Sequence, residues 1–313
     1  MKVEIRALAE KDLDEADRLF RLAFGTFLGM PDPSTFTGDA DLVRTRWRAA
    51  PAGALGAYAD GALVGSNFAA NWGSFGFFGP LTVRPELWNQ GVARALLEPT
   101  VALFDQWGTR VAGLFTFAQS AKHVSLYQRY GFWPQHLTIV MAKAIEPAAA
   151  GERASRYAEL ALDARAVCLD EIRALTDAVF PGLDVSVEIR AADEQAIGDT
   201  VLVRDAGELD AFAVCHVGAG SEAGSGAAYV KFAAVRPGRS APRHFEALLA
   251  ACERFASERG AGRLMAGVNT ARHDAYRVLI ARGFRNVLQG VAMQRPNQPG
   301  FNRADCFVLD DWR

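Results

Sequence analysis

The sequence predicts an α/β (α+β) protein built from two tandem copies of one domain, each a central sheet flanked by helices. Two observations carry this reading. The first is self-similarity at a fixed offset. With position n laid on n plus 152, Val83-Arg84-Pro85 meets Val235-Arg236-Pro237 and Leu96-Leu97 meets Leu248-Leu249; Gly108 then falls on Gly260, Gly131-Phe132 on Gly283-Phe284 and Met141 on Met293, with no gap. The second is length, since 313 residues are long for one hydrophobic core and comfortable for two.

In the first copy a short strand is expected over residues 3–6. A helix over 11–23 places Leu13, Ala16, Leu19, Phe20 and Ala23 on one face at helical spacing. Residues 25–39, rich in Gly, Pro, Ser and Thr, read as a loop, and 41–49 as a second helix, on which Arg44, Arg46 and Arg48 form a solvated face. Strands follow at 54–59, 63–70 and 75–83. The charge-free run 62–83 is long enough to raise the question of a membrane span. Asn67, Asn71, Gly65, Gly73, Gly76, Gly79 and Pro80 within it instead suit two buried strands joined through Asn71-Trp72-Gly73-Ser74. A helix over 91–107, a strand over 111–117, a helix over 121–130 and a last strand near 137–142 complete the copy.

The second copy repeats this order over 157–294. The expected organisation is a domain over 1–145, an Ala/Gly-rich linker over 146–156, a second domain over 157–295 and a tail over 296–313 without a counterpart in the first half. Disorder is the default for that tail, with a returning strand or a cover over the domain interface as the alternatives.

Composition narrows the function. Half the residues are hydrophobic, 22% are charged and the formal net charge is -2, so nothing calls for nucleic acid or an anionic membrane as partner. The opening twenty residues are charged throughout and carry no apolar signal core, which points to the cytoplasm. Cys168, Cys215, Cys252 and Cys306 lie far apart, outside any CxxC pattern, as reduced and partly buried thiols do. No HExxH, GxSxG or Walker A sequence occurs, so a metal site and a serine nucleophile have no support.

The informative stretch is Val83 to Leu97, VRPELWNQGVARALL. A Gly-x-Ala step between a strand and a helix lets successive backbone N–H groups converge on an anion at the helix N-terminus, where the dipole adds to the attraction. On that reading Asn89, Gln90, Gly91, Val92, Ala93 and Arg94 form the nest, with the Arg94 guanidinium as a further contact. Close packing of helix on strand is the alternative use of the same small residues.

This stretch, followed by a strand and then Ser125-Leu126-Tyr127-Gln128-Arg129-Tyr130-Gly131-Phe132 before the last strand, resembles the GNAT superfamily of acyl-CoA N-acyltransferases. The likeness covers both halves and is strongest in the first. It implies two tandem GNAT-like domains, each with a mixed, mostly antiparallel sheet and a splayed strand pair. Gly91 and Ala93 would then hold the pyrophosphate of acetyl-CoA, a co-substrate. Trp88 stands where the family pattern opens on Gln or Arg. Gly79-Pro80 suggests the bulge that splays the strands, with Leu81 and Val83 offering backbone to the pantetheine arm. Ser120 lies where the family often has a cofactor-contacting Asn, and His123, one turn before Tyr127, could reach cofactor, substrate or the tyrosine hydroxyl.

Tyr127 matches the family's catalytic tyrosine in Tyr-x-x-x-Gly-Phe. A phenol protonated at neutral pH is a sensible donor to a departing thiolate. Asp32, His123 and His136 are candidates for the general base, and water could relay the proton. In the second copy the overlay puts Arg243 at Gly91, Phe245 at Ala93 and Leu279 at Tyr127, so that copy reads as degenerate. The expected activity is direct acetyl transfer to the primary amine of a small-molecule acceptor, with no metal and with a homodimer as a possible assembly. An acyl-CoA-binding or sensor protein without efficient catalysis is the alternative. The loop 25–39 and the region of Asn67, Asn71 and Trp72 would shape the acceptor pocket, and the many Phe residues favour a partly apolar or aromatic amine.

Overall fold

A computed structural model describes residues 2–146 and 155–313, so most of the expected linker lies outside the described residues. The first copy runs β1 (Glu4–Ala7), α1 (Leu13–Phe27), α2 (Leu42–Ala49), β2 (Ala54–Ala59), β3 (Ala62–Trp72), β4 (Phe75–Phe78), β5 (Thr82–Val83), α3 (Val92–Trp107), β6 (Val111–Thr116), α4 (Ala121–Gln128) and β7 (Trp133–Ala144). The second runs β8 (Ser155–Arg156), α5 (Leu162–Val179), α6 (Ser186–Glu194), β9 (Gly198–Asp205), β10 (Glu208–Gly218), β11 (Gly224–Val235), α7 (Ala241–Glu258), β12 (Arg263–Asn269), α8 (His273–Ala281) and β13 (Arg285–Arg295). A short strand β14 (Val308–Leu309) follows. Among the described residues no helix is long and apolar enough to cross a membrane.

Local patterns account for most of these elements. The apolar face of α1 buries Leu13, Ala16, Leu19, Phe20 and Ala23, the residues its spacing singles out. Asp41 caps α2 by accepting from the Arg44 N–H at 2.8 Å. The offset of 152 residues holds for α1 and α5 and again from β4 onward. Between these, the loop before α2 spans 28–41 against 180–185 before α6, so the turn Asp60-Gly61 corresponds to Ala206-Gly207.

The strands form one mixed sheet in the order β1-β2-β3-β4-β6-β13-β7-β12-β11-β10-β9-β8, with β5 on β3 and β14 on β11. Only β4 with β6 and β11 with β12 run parallel. The last strands of the two copies are exchanged. Strand β13 lies between β6 and β7, and β7 pairs with β12. The registers obey the same offset: Val291 faces Thr116 as Ile139 faces Val268, and Met293 faces Leu114 as Met141 faces Ala266.

The expected strand over 75–83 is broken. Phe78 faces Ala69 and Thr82 faces Ser66, so four steps on one strand answer three on the other, and one residue bulges around Gly79-Pro80. Parallel pairing of β4 with β6 ends at Phe77 and Gly113, after which the two strands part.

Side chains from both halves fill a common core. Trp72, Phe75 and Phe77 of the first pack with Ile172, Leu183 and Phe232 of the second. The Trp72 indole donates to Glu188 at 2.9 Å. One expectation is corrected here: Arg46 is not solvated. Its guanidinium donates to both Glu222 carboxylate oxygens, at 3.1 and 2.8 Å, and to the Gly79 carbonyl at 2.6 Å, while Lys231 Nζ reaches the same carboxylate at 2.8 Å. Helix α2 packs against α6, and Glu222 reaches the same buried space, so the side of α2 carrying Arg46 has no water to meet. Burial opposes the Glu222 charge, but Arg46 and Lys231 outweigh it and hold the carboxyl well below the usual carboxylate range.

His216 lies beside this cluster with neither ring nitrogen hydrogen-bonded among the described residues. Burial, against the pull of Glu222, pushes it down from 6.5 to about 4. The unfolded chain therefore binds the extra proton between these two values. Stability from this group is complete above pH 6.5 and is lost as pH falls toward 4, by up to roughly 3 kcal/mol at about 1.4 kcal/mol per pKa unit. His216→Gln should flatten this acid limb in urea-unfolding midpoints. A limb as steep as in the parent chain would refute the assignment.

Candidate active site

The loop before α3 is shaped by two left-handed residues, Asn89 with φ +67° and Gly91 with φ +90°. A Cβ on Gly91 would meet nothing closer than Arg94 Nη2 at 3.8 Å, so the torsion, not the space, calls for glycine. The Gln90 N–H donates to the Leu87 carbonyl at 3.3 Å, and the first intrahelical bond runs from the Ala95 N–H to the Gly91 carbonyl at 3.0 Å. The amides of Val92, Ala93 and Arg94 thus point out unpaired from the positive end of a 16-residue helix. Gln90 is exposed and its side-chain amide donates back to the Glu86 carbonyl at 3.1 Å.

Beside this helix end the parted strands present free backbone. The Arg84 N–H donates to the Val64 carbonyl at 2.9 Å, so the adjacent Val83 turns its own N–H and C=O away from β3, toward the gap. The Val83 carbonyl accepts from the Trp88 indole at 2.8 Å, which leaves its N–H as the group that faces the gap. Trp88 therefore ties the loop to the strand.

A cavity of about 860 Å³ runs along this gap. Leu81, Val83, Asn89, Gly91, Val92, Ala93, Arg94, His123 and Tyr127 line it, while Gln90 and Ser120 do not. Ser120 caps α4, its hydroxyl accepting from the His123 N–H at 3.4 Å. Tyr127 is 8% exposed and its ring stands edge-on to Phe78 at 5.7 Å. No group among the described residues hydrogen-bonds its hydroxyl, and burial alone drives its pKa far above 10. His123 packs against Phe27 at 5.0 Å, and burial, then Lys122, lowers its pKa below 6.5. Asp32 is exposed and binds Ser34, and His136 is exposed outside the cavity. Tyr130 donates to the Arg94 carbonyl at 3.1 Å and stays outside as well.

Part of the cavity lining is aromatic. Phe20, Phe24 and Phe27 of α1, Phe36 of the following loop, Phe115 and Phe117 line it together, with Phe24 stacked on Phe36 at 5.5 Å and Phe27 against Phe117 at 5.0 Å. The loop after α1 contributes Phe36 and Thr37 to the lining. Asn67, Asn71 and Trp72 do not line the cavity: Asn67 donates to Thr100 at 2.8 Å, Asn71 accepts from the Gly73 N–H and Trp72 is in the interface core.

Sequence reasoning missed a third group of lining residues. Glu222, Ala223, Met265 and Leu288 come from the second half, and Trp312 and Arg313 from the segment after β13. The tail is not disordered, the default expected for a terminus: it returns as β14 on β11 and brings Trp312 and Arg313 to the cavity.

A sheet whose parallel strands part beside a helix N-terminus, with unpaired amides and a buried tyrosine lining one cavity, is the arrangement that the resemblance implies for an acyl-CoA site. Residues 16–132 match the family model described as Acetyltransferase (GNAT) family. That match lies within the first half of the chain. No curated sequence matches this one. Among solved structures, it is similar to a putative acetyltransferase from Pyrococcus horikoshii at 12% identity and TM-score 0.69, covering 99% of this chain and 95% of that one. It is also similar to a GCN5-related N-acetyltransferase from Sphaerobacter thermophilus at 16% identity and TM-score 0.58, covering 95% and 96%. At these identities the likeness is one of fold.

The Tyr127 environment has a direct spectroscopic consequence. In an ultraviolet titration, Tyr127→Phe should remove no phenol that ionises below about pH 11, because burial holds the proton on. Loss of a phenol titrating near its ordinary value would contradict the buried placement.

Proposed function

We propose that this protein is an N-acetyltransferase that moves the acetyl group of acetyl-CoA to the primary amine of a small-molecule acceptor, in the first half of the chain. The observation that carries the reading is that the helix start at 92–94, with its unpaired amides, and Tyr127 line one cavity. The amides would receive the pyrophosphate, and the free N–H of Val83, with the adjacent backbone of Leu81, would pair with the pantetheine arm. The phenylalanine wall suits an apolar or aromatic body on the amine.

The amine nitrogen attacks the thioester carbonyl carbon, the C–N bond forms and the C–S bond breaks. The sulfur leaves with the bonding pair and takes the Tyr127 proton. A phenol this buried stays protonated until thiolate charge develops beside it. The amine releases a proton in turn, and His123, neutral at pH 7 by its lowered pKa, is the one of the three candidate bases that lines the cavity. All four cysteines lie in the second half, so transfer is direct rather than through an acyl-enzyme.

Two experiments test this. Calorimetry should find one acetyl-CoA per chain, and Gly91→Glu should abolish binding, since its carboxylate stands beside the phosphates on a strained left-handed residue. Two equivalent sites, or unchanged affinity in a folded Gly91→Glu protein, would sink the reading. Tyr127→Phe should keep acetyl-CoA affinity and lower turnover by roughly 10² or more in a thioester-consumption assay over a panel of amines. Tyr276→Phe, which changes a tyrosine of the second half, should stay within about twofold. Binding without turnover on any amine would favour a sensor instead.

A further inference from the structure

The second half keeps the groove but not the nest. Strands β11 and β12 pair in parallel from Ala227 with Arg263 to Val230 with Ala266, and the register of β11 on β10 slips around Lys231, the residue at the offset position of Gly79. Beyond that bulge the strands part, as β4 and β6 do. In the first half the gap opens into the cavity described above. In the second it is filled by the chain itself.

We propose that residues 306–312 occupy the second half's acyl-CoA groove as a built-in peptide replacement for the pantetheine arm, and that this anchors Trp312 and Arg313 in the first half's cavity. The inference rests on the reading of the first half as the acyl-CoA site. Strand β14 pairs with β11, Leu309 opposite Ala233 and Val308 opposite Ala234, and the Val235 N–H donates to the Phe307 carbonyl at 3.1 Å. Ala233 and Val235 stand at the offset positions of Leu81 and Val83, the residues expected to pair with pantetheine. The same backbone edge is thus already bonded in the second half.

The contacts at either end follow the same path. At the helix end Phe307 packs against Phe245, the residue at the position of Ala93, with ring centroids 5.2 Å apart. Arg243, at the position of Gly91, is paired with Asp205. Arg272, at the position of Ser120, is fully buried and donates to the Val308 carbonyl at 2.7 Å, to Asp310 at 2.6 Å and to Asn302 at 2.9 Å. Arg272 therefore holds the peptide through both the peptide's main chain and its side chains. Farther in, Tyr229 donates to Asp311 at 3.0 Å, and Asp311 lies where a Cβ on Gly267 would come within 2.3 Å. Trp312 then rests on Phe75 at 5.0 Å and over Gly113, on the first half's own β6. One continuous peptide leads from the vestigial groove to the working cavity.

Cys306 is a natural reporter of this arrangement. It is 4% exposed, and burial pushes its thiol up to about 11, so it should resist maleimide at neutral pH while the peptide is seated. Labelling of the full chain, read by mass spectrometry, should be at least about tenfold faster at Cys306 in Leu309→Pro, which disrupts β14. Cys215 and Cys252 should stay unlabelled, reporting an intact core. Arg272→Lys, which keeps the charge but loses the fork, serves as a milder variant with a smaller rise. Saturating acetyl-CoA, which carries no free thiol, should leave the parent rate within about twofold. A Cys306 rate that climbs with acetyl-CoA, meaning competition for the groove, would overturn the proposal. So would an unchanged rate in both variants. If acetyl-CoA binds nowhere, the proposed function fails while the comparison of variants still decides the placement of the peptide.

Discussion

The main-chain hydrogen bonds that set β13 between β6 and β7 are the constraint on which the rest depends. Without β13, β6 would carry an open edge from Ala112 to Thr116, and β7 would lack one of its two neighbours. Each half therefore closes its sheet with a strand from the other, and neither core is complete alone. The apolar clusters follow from this. Trp72 and Phe75 pack with Leu183 and Phe232 because the exchange brings the two sheets into one. The aromatic wall of the cavity also hangs on it, since Phe115 faces Ala292 in the exchanged pairing.

A second consequence is the electrostatic joint between the halves. Arg46 would be an ordinary surface arginine if α2 faced water. With the second half against it, it is buried on Glu222, and the carboxylate is shared with Lys231. Such a group is costly to bury unless its charges are matched, and here one carboxylate meets two cations, while Arg46 also donates to the Gly79 carbonyl. The joint thereby fixes the bulge that opens the splayed strands, so the geometry of the cavity and the contact between halves are one problem.

The two copies have diverged within a common frame. The first keeps a left-handed glycine, free helix amides and a phenol; the second has an arginine, a phenylalanine and a leucine at the same offset positions. Its parted strands still expose backbone, and an unpaired edge inside a protein is unfavourable. The segment after β13 satisfies that edge. It also supplies Trp312 and Arg313 to the other cavity, which makes the second half a contributor to the first half's wall as well as a support.

What the sequence by itself determined is what short-range physics controls. Helical spacing located α1 and its buried face, the charge-free run resolved into β3 and β4, and Gly91 was placed at the start of a helix. The repeat exposed the duplication because identical local solutions recur at a constant offset. Leu81, Val83, Tyr127 and the loop residues of α3 were brought to one cavity as their motifs implied, whereas Gln90 and Ser120 turned to local hydrogen bonds. Only the tertiary structure decided which strand pairs with which, that Arg46 is buried, that Trp88 takes the Val83 carbonyl, and that residues from 222, 265, 288 and 312–313 reach the cavity. Backbone N–H and C=O groups are the same in every residue, so partner choice in a sheet leaves no mark in the letters. It is settled by how whole faces fit together, and side chains hundreds of residues apart become neighbours only as a result.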